Sequence, residues 1–328
     1  MILVLGYDQH ELGTDPVIDW LLYYGADFVK VSMNDLLSGK IAYEIDVVAG
    51  DIYINGRSMQ QEVSVIWYRR FYGEEMNLRI EKNMPFAKQL RAEIQYEMHN
   101  IVEHLFYIMK GKKWLPYYER TKVNKLVMLE MANRAGLTVP ASRVLTSKKE
   151  LNTFYAQCGE SLITKPVKGS DYYEDGKNTY FIFTAPVTRQ FIDSLPDHFF
   201  PTLFQERAKA EYEIRVFFLD GECFATAVLN ANKSREVDRK LNNSKSETHF
   251  VPYKLPEEME IKVRAFMKEA KLNIGCLDII RDETGRYVFL EVNPLGQYLS
   301  ESAKCNYYLE KNIAEWLIKH DLQYEQVH

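Results

Sequence analysis

Three oxygen-bearing side chains stand close together in one stretch of the sequence. Asp278 lies in the run GCLDIIRD, and Glu291 and Asn293 lie in the run YVFLEVNP beyond the segment DETG. This pattern predicts two antiparallel strands, and the period of two places Glu291 and Asn293 on one face. Asp278 then lies opposite or diagonal to Phe289, Glu291 or Asn293, depending on the register. Because two carboxylates in an apolar setting repel one another, a cation such as Mg²⁺ is the favoured interpretation.

Isolated cations interrupt segments that are otherwise apolar. Lys165 ends the strand-like run LITKP, Arg215 interrupts EIRVFF, and Lys125 begins a predicted helix. A phosphate chain with Mg²⁺ requires several such cations from separate elements, because each charge-assisted contact contributes only about 1.5–3 kcal/mol. Two other interpretations stay open at this stage: an exposed hairpin with scattered acids, and cations whose long side chains reach the surface.

The elements around these residues alternate between strands and helices. MILVL predicts a strand, TDPVIDWLLYYG a helix with proline in its first turn, and DIYINGRS a hairpin that turns at Asn55-Gly56. An apolar stripe predicts a helix over 85–109, and the basic stretch 110–125 is typical of a linker. The chain is therefore expected to be an α+β protein.

Composition excludes several classes of protein. The chain has 328 residues and a net charge of −5, which indicates about two domains and does not favour nucleic acid as a partner. Its four cysteines form no C-x-x-C pair, and no stretch approaches 18 apolar residues. We expect a cytoplasmic protein with no membrane partner. The sequence contains neither a Walker A motif nor G-x-G-x-x-G, so a P-loop or Rossmann nucleotide site is not supported.

The order of these charged residues resembles that of the ATP-grasp carboxylate ligases. The resemblance covers about 115–320 and rests on both lysines, the segment FQERA with EIR after it, Asp278, and the signature Glu-x-Asn-Pro at 291–294. Within that superfamily, the runs WYRR, FLEVNPLGQY and CNYYLE are similar to the RimK-like graspetide synthetases, and most of all to the grasp-with-spasm peptide maturases. The implied fold is an ATP-grasp fold with an N-terminal α/β pre-ATP-grasp domain. The corresponding domain boundaries are 1–115, 116–205 for the central lobe and 206–328 for the C-terminal lobe.

The resemblance also implies roles for individual residues. Lys125 and Lys165 would contact the ATP phosphates, and Glu213 would take the ribose hydroxyls. Two arginines would face the γ-phosphate and the acyl phosphate, Arg215 and Arg239. A hinge would meet the adenine through the backbone at Glu206 and Ala208; it comprises Gln205, Glu206, Arg207 and Ala208. Mg²⁺ would be held by Asp278, Glu291 and Asn293.

The implied activity is ADP-forming ligation through an acyl phosphate, which joins side chains of a ribosomal precursor peptide by macrocyclic esters or amides. The implied cofactors are ATP and Mg²⁺, the partner is a precursor peptide with a leader and an acidic core, and the assembly is a dimer. Arg69 and Arg70 are candidates for holding that core, although two surface arginines at a strand end fit the sequence equally well. Two alternative functions are a RimK-like ligase acting on a small molecule or a protein terminus, and a binding module without turnover.

Overall fold

The computed structural model describes residues 1–7, 11–71, 78, 80–81, 83–168, 171–176, 178–182, 184–230 and 248–321. They form a mixed α and β chain, as the sequence predicted. The chain divides into two compact units, one of 1–121 together with 297–328 and one of 122–296. Within the described residues, no helix combines the length and the apolar character that a membrane span requires.

The first unit contains a four-stranded parallel sheet in the order β2-β1-β6-β7. Both central strands are buried along their whole length, as expected for a parallel sheet covered on both faces. Its strands are β1 (Ile2–Leu5), β2 (Phe28–Val31), β6 (Val65–Tyr68) and β7 (Lys113–Leu115). A second sheet of this unit consists of β3 (Tyr43–Asp46), β4 (Asp51–Ile54) and β5 (Arg57–Ser58).

The predicted hairpin at Asn55-Gly56 is confirmed, since it joins β4 to β5 and both of its residues have positive φ. The predicted helix over 85–109 is confirmed with a start at residue 87. The helices of the first unit are α1 (Asp15–Tyr23), α2 (Met33–Ser38), α3 (Met59–Glu62), α4 (Ala87–Met109), a 3₁₀ turn (Tyr118–Arg120), α9 (Leu299–Cys305) and α10 (Leu309–Lys319).

The second unit contains two larger antiparallel sheets and a separate hairpin. The first sheet has the order β12-β9-β13-β8, with β8 (Ser142–Ser147), β9 (Leu162–Thr164), β12 (Ala185–Val187) and β13 (His198–Glu206). The hairpin pairs β10 (Asp171–Glu174) with β11 (Thr179–Ile182). The second sheet has the order β16-β15-β14-β17-β18, with β14 (Ala210–Leu219), β15 (Glu222–Asn230), β16 (Thr248–Tyr253), β17 (Ile274–Asp282) and β18 (Tyr287–Asn293).

Two pairs of helices cover one face of each of these sheets. Leu151, Phe154 and Ile192 pack on the first sheet from α6 (Lys148–Gln157) and α7 (Arg189–Ser194). The second sheet packs against α5 (Lys125–Arg134) and α8 (Glu257–Glu269). Alternate residues of β14 belong to this core, Ile214, Val216 and Phe218. The residues between them therefore lie on the opposite face, away from the helices.

Phe266 is a sensitive point of the second core. Its ring is fully buried and lies 5.0 Å from the ring of Phe289, centroid to centroid. Because the cavity left behind would collapse only partly, we expect Phe266→Ala to lower the free energy of unfolding by about 3–5 kcal/mol. Denaturant unfolding followed by fluorescence or circular dichroism measures this loss.

Ile261 provides the control on the same helix, because 58% of its surface is exposed. Ile261→Ala should change the free energy of unfolding by about 0.5 kcal/mol or less. Equal losses in the two variants would contradict the assignment of this core.

Candidate functional site

Three charged residues form a row across neighbouring strands of the five-stranded sheet. Arg215 of β14 pairs in register with Asp278 of β17, which in turn pairs with Glu291 of β18. The row lies on the face opposite the helices, and Arg215 Nε is 3.1 Å from Asp278 Oδ1. Of the registers that the sequence left open, the structure thus has Asp278 directly opposite Glu291.

A β-bulge in β18 sets this register. Asp278 pairs with Glu291, but the next residue, Ile279, pairs with Phe289, so Leu290 is an extra residue in its strand. The bulge lets Phe289 and Val292 both reach the core while Glu291 points to the other face. Asn293 lies two residues beyond Glu291, and its Oδ1 accepts a hydrogen bond from the N–H of Leu295 at 3.2 Å.

Two lysines complete a charged cluster with this row. Lys125 is the first residue of α5, and its Nζ is 3.0 Å from Glu291 Oε2. The side chain of Asn124 caps this helix by accepting hydrogen bonds from the N–H groups of Leu126 and Val127 at 2.9 and 3.4 Å. This cap fixes the start of the helix and thereby the position of Lys125. The carboxylate of Glu291 is therefore paired with a cation from a helix, Lys125. The neighbouring carboxylate of Asp278 is paired with a cation from the sheet, Arg215.

Lys165 follows β9 and is influenced by the other members of the cluster. Burial lowers its pKa, the carboxylate of Glu291 acts in the opposite direction, and the positive charge of Lys125 lowers it further. The net effect is a pKa below that of an ordinary lysine. The charged cluster comprises five residues that the sequence had predicted: Lys125, Lys165, Arg215, Asp278 and Glu291. Glu213 lies two residues before Arg215 on the same face of β14.

The predicted hinge joins β13 to β14. Gln205 is 1% exposed, and its Nε2 donates to Ser142 Oγ at 2.8 Å. The backbone N–H of Glu206 donates to the carbonyl of Ala141 at 2.8 Å, and that of Arg207 donates to the carbonyl of Ser161 at 3.0 Å. These bonds hold the hinge backbone to the residues that precede β8 and β9, the two neighbours of β13 in the sheet.

A cavity of about 420 Å³ lies beside this hinge. It is bounded by Glu206, Arg207, Ala208 and Lys209, by the segment after α6 and by the turn between β17 and β18. None of the five residues of the charged cluster lines it. The cavity and the cluster are thus separate features, and Arg239 lies outside the described residues.

Comparison with solved structures identifies the fold. The chain is similar to the macrocyclase MdnC from Microcystis aeruginosa MRC, bound with the precursor peptide MdnA, at 22% identity and a TM-score of 0.80 over 97% of this chain and 99% of that one. The chain has the ATP-grasp fold. No family model matches it, and no curated protein does.

Two further ATP-grasp structures are similar over nearly the whole chain. A Chryseobacterium gregarium RiPP-associated ligase, in complex with ADP and a leader and core peptide, has 18% identity and a TM-score of 0.77 over 97% of this chain and 96% of that one. The ligase PsnB, complexed with a phosphomimetic variant of a minimal precursor, Mg and ADP, has 17% identity and a TM-score of 0.75 over 97% and 98%. Both antiparallel sheets of the ATP-grasp chain contribute to the charged cluster, one through Lys165 and the other through the row.

The first unit carries a second group of charges at the end of β6. Arg69 is only 3% exposed, so it is not the surface arginine that the sequence also allowed. Its Nε lies 3.3 Å from Glu11 Oε2, and the hydroxyl of Thr14 donates to the same oxygen at 2.5 Å. Arg70 is more exposed, and its Nη1 is 3.9 Å from Glu11 Oε1.

Sequence reasoning missed Glu11, although a signal for it exists. Glu11 follows β1, and Arg69 follows β6, the parallel neighbour of β1. Because the carboxyl ends of parallel strands meet at one edge, residues beyond those ends are expected to lie close together. Once the topology is known, it therefore pairs the acid after β1 with the two arginines after β6.

Glu11 should make the stability of this unit depend on pH. Burial alone would raise the pKa of Glu11, but the charge of Arg69 and the hydroxyl of Thr14 outweigh it, so the net pKa lies below the ordinary value. A lowered pKa in the folded state stabilises the protein above the ordinary value of about 4.3, and this contribution is lost as pH falls through the lower value. From pH ~6 to pH ~3, the wild type should therefore lose more stability than Glu11→Gln.

Thermal unfolding across this range measures the difference. Glu44→Gln, at an exposed position of β3, controls for the removal of one carboxylate from the same unit. Parallel pH profiles for the wild type and Glu11→Gln would contradict the ionic role of Glu11.

Proposed function

We propose that the chain is an ADP-forming ATP-grasp ligase that forms ester or amide crosslinks between side chains of a ribosomally made precursor peptide. The observation that carries this proposal is the charged cluster, in which three cations from three separate elements surround two facing carboxylates. A phosphate chain with a divalent cation needs this combination of charges.

Neighbouring structures support the choice of substrate. MdnC is a macrocyclase bound with its precursor peptide, and PsnB is complexed with a minimal precursor, Mg and ADP. The likeness extends over the full length of those chains, including their first units. We therefore extend peptide, ATP and Mg²⁺ to this chain as substrate and cofactors.

The donor set at the row fits Mg²⁺. Asp278 and Glu291 are directly opposite on two paired strands, and the amide oxygen of Asn293 lies on the same face. These are hard oxygen ligands, few enough to leave positions for water and phosphate. When bound there, Mg²⁺ would supply positive charge to the phosphate oxygens of ATP. Among the described residues, no cluster of three His, Cys, Asp or Glu side chains offers another metal site.

The ion pairs of the cluster indicate how binding proceeds. Lys125 is paired with Glu291, and Arg215 with Asp278. When the phosphates of ATP enter, each cation can turn from a carboxylate to a phosphate oxygen, which leaves the carboxylate oxygens for the metal. Since each cation exchanges one anionic partner for another, the site avoids most of the cost of leaving a partly buried charge without a partner.

In this proposal, Arg215 is the residue that stabilises the transition state. It lies on β14, the central strand of the sheet, and pairs in register with Asp278. A carboxylate is a poor electrophile, so ligation begins with transfer of the γ-phosphoryl group to an Asp or Glu side chain of the peptide. The guanidinium of Arg215 would stabilise the negative charge on the transferring oxygens. A hydroxyl or amine of the peptide then attacks the acyl phosphate and releases phosphate.

We further propose a role for individual residues in binding ATP. Lys125 and Lys165 bind the phosphates, the hinge meets the adenine, Glu213 binds the ribose and Arg239 faces the acyl phosphate. The peptide carries a leader and an acidic core, and the enzyme is a cytoplasmic dimer that binds no nucleic acid. The three-domain division at 115 and 205 is likewise part of the proposal.

Mass spectrometry of a co-expressed precursor peptide tests the proposal. A candidate peptide, encoded beside this chain and rich in Thr, Ser or Lys together with Asp or Glu, should lose one water for each crosslink formed. The loss should require ATP and Mg²⁺. Turnover of ATP with free amino acids but not with the peptide would favour the small-molecule alternative.

Glu291→Gln tests the metal assignment. The amide keeps the shape of the side chain but removes the charge that Mg²⁺ requires, so ATP-dependent loss of water should fall by about 100-fold or more. The thermal unfolding midpoint should stay close to that of the wild type. Glu257→Gln, at an exposed acid in the first turn of α8, is the control and should retain activity. Wild-type activity in Glu291→Gln would remove Glu291 from the metal site.

Arg215→Ala tests the role in phosphoryl transfer. We expect kcat to fall by about 10²–10³-fold, while the dissociation constant of ATP changes far less. Arg281→Ala is the matched control, since Arg281 also bonds to an acid across β14 and β17, Glu211, at 2.6 Å. Pre-steady-state kinetics with radiolabelled ATP separates binding from transfer. A change confined to peptide affinity would rule out the transition-state role.

A further inference from the structure

Three charged residues, Glu11, Arg69 and Arg70, lie close together at the carboxyl edge of the parallel sheet in the first unit. The chain leaves β1 at Leu5 and β6 at Tyr68, and these two residues are paired in register. The N–H of Arg69 donates to the carbonyl of Leu5 at 2.6 Å, so the two departing segments are tied together. Ligands of α/β sheets bind outside this edge of the strands.

Arg69 is locked in place and does not reach outward. Its Nε and Nη2 donate to the two carboxylate oxygens of Glu11 at 3.3 and 3.4 Å, and its guanidinium lies 5.8 Å from the ring centroid of Tyr298. The hydroxyl of Tyr298 donates to the carbonyl of Gly13 at 2.5 Å. A Cβ at Gly13 would lie 2.3 Å from Nη2 of Arg69, so glycine at this position leaves room for the guanidinium.

Arg70 differs from Arg69 in backbone and exposure. Its φ is 57°, in the left-handed region that non-glycine residues enter at a cost and that is common at functional positions. Its side chain is 35% exposed, against 4% for that of Arg69. Glu11 lies within 3.9 Å of Arg70 but makes its hydrogen bonds to Arg69 and Thr14. Both arginines therefore lie near the same carboxylate, and Arg70 is the more exposed of the two.

We infer that Arg70 binds a side-chain carboxylate of the acidic peptide, and that Glu11, locked between Arg69 and Thr14, is the positioning residue. The inference rests on the proposed function and assigns part of its substrate recognition. A single partly exposed guanidinium suits one carboxylate, whereas a phosphate chain requires several cations. A guanidinium binds a carboxylate through two parallel hydrogen bonds, which the ammonium group of lysine cannot form.

Glu11 contributes by holding its neighbours and not by touching the peptide. Through Arg69 it fixes the end of β6, and its charge orients Arg70 from 3.9 Å away. Without that charge, the side chain of Arg70 would occupy more rotamers in the free protein. Binding of the peptide would then cost more conformational entropy and would be weaker.

Steady-state kinetics of peptide-dependent ATP consumption tests the inference. Arg70→Ala should raise the KM for the peptide by about 10- to 100-fold, with kcat and the KM for ATP within about twofold of the wild type. Arg70→Lys should recover only part of this loss. Arg57→Ala is the matched control, since the side chain of Arg57 is 34% exposed and paired with acids in the same unit. It should leave the peptide KM unchanged.

A double-mutant cycle distinguishes contact from structural support. The penalty of Arg70→Ala should disappear with a peptide in which one Asp or Glu is replaced by its amide. Glu11→Gln should weaken the same coupling without removing it, and Thr14→Val provides a milder variant if Glu11→Gln unfolds. An equal penalty with every peptide, or an unchanged peptide KM in Arg70→Ala, would overturn the inference.

Calorimetric titration of the peptide separates this inference from the proposed ligase activity. If the wild type consumes no ATP but binds the acidic peptide in a manner that depends on Arg70, the ligase proposal fails and the carboxylate site stands. If the ligase is active and Arg70→Ala binds the peptide like the wild type, the site falls and the ligase stands.

Discussion

Electrostatic repulsion between two facing carboxylates is the constraint around which the second unit is organised. Asp278 and Glu291 are directly paired on neighbouring strands, a position in which like charges destabilise a sheet. Arg215 from the central strand and Lys125 from a helix end offset this repulsion at 3.1 and 3.0 Å. The bulge at Leu290 and the cap at Asn124 deliver these charges to one place, so both local features serve the same electrostatic balance.

The ion pairs of the two units differ in burial, since those of the second unit are partly exposed and the pair of Glu11 with Arg69 is buried. In the second unit, Arg215 joins two strands through Asp278, and Lys125 joins a helix to the sheet through Glu291. In the first unit, Glu11 accepts a hydrogen bond from Thr14, and the guanidinium of Arg69 lies over the ring of Tyr298. Glycine at position 13 leaves space for that guanidinium. A buried pair of this kind stabilises one geometry, whereas the pairs of the second unit remain partly accessible to solvent.

Much of the charged cluster could be predicted from sequence, because four of its members stand in apolar strand patterns. Lys125 gave only the weaker signal of a lysine at the start of a helix. The alternation of β18 did not reveal that Leu290 is an extra residue, so the register stayed open until the pairing was known. Glu11 could not be recognised for a different reason. Its partner Arg69 lies 58 residues away, and only the order of the parallel strands brings the two together. Local signals such as Asn55-Gly56 predicted elements well, but not which distant segments pack together.

The first unit is interrupted in sequence by the whole of the second. Its sheet is complete by residue 115, yet α10 packs against α1, and the hydroxyl of Tyr24 donates to Glu315 Oε1 at 2.8 Å. During synthesis, about 175 residues of the second unit must leave the ribosome before α10 can reach its place. Until then α1 lacks the helix that packs beside it, including Lys311, whose Nζ lies 5.6 Å from the ring centroid of Trp20. A pause in synthesis within the inserted unit would therefore prolong the time during which α1 lacks this neighbour.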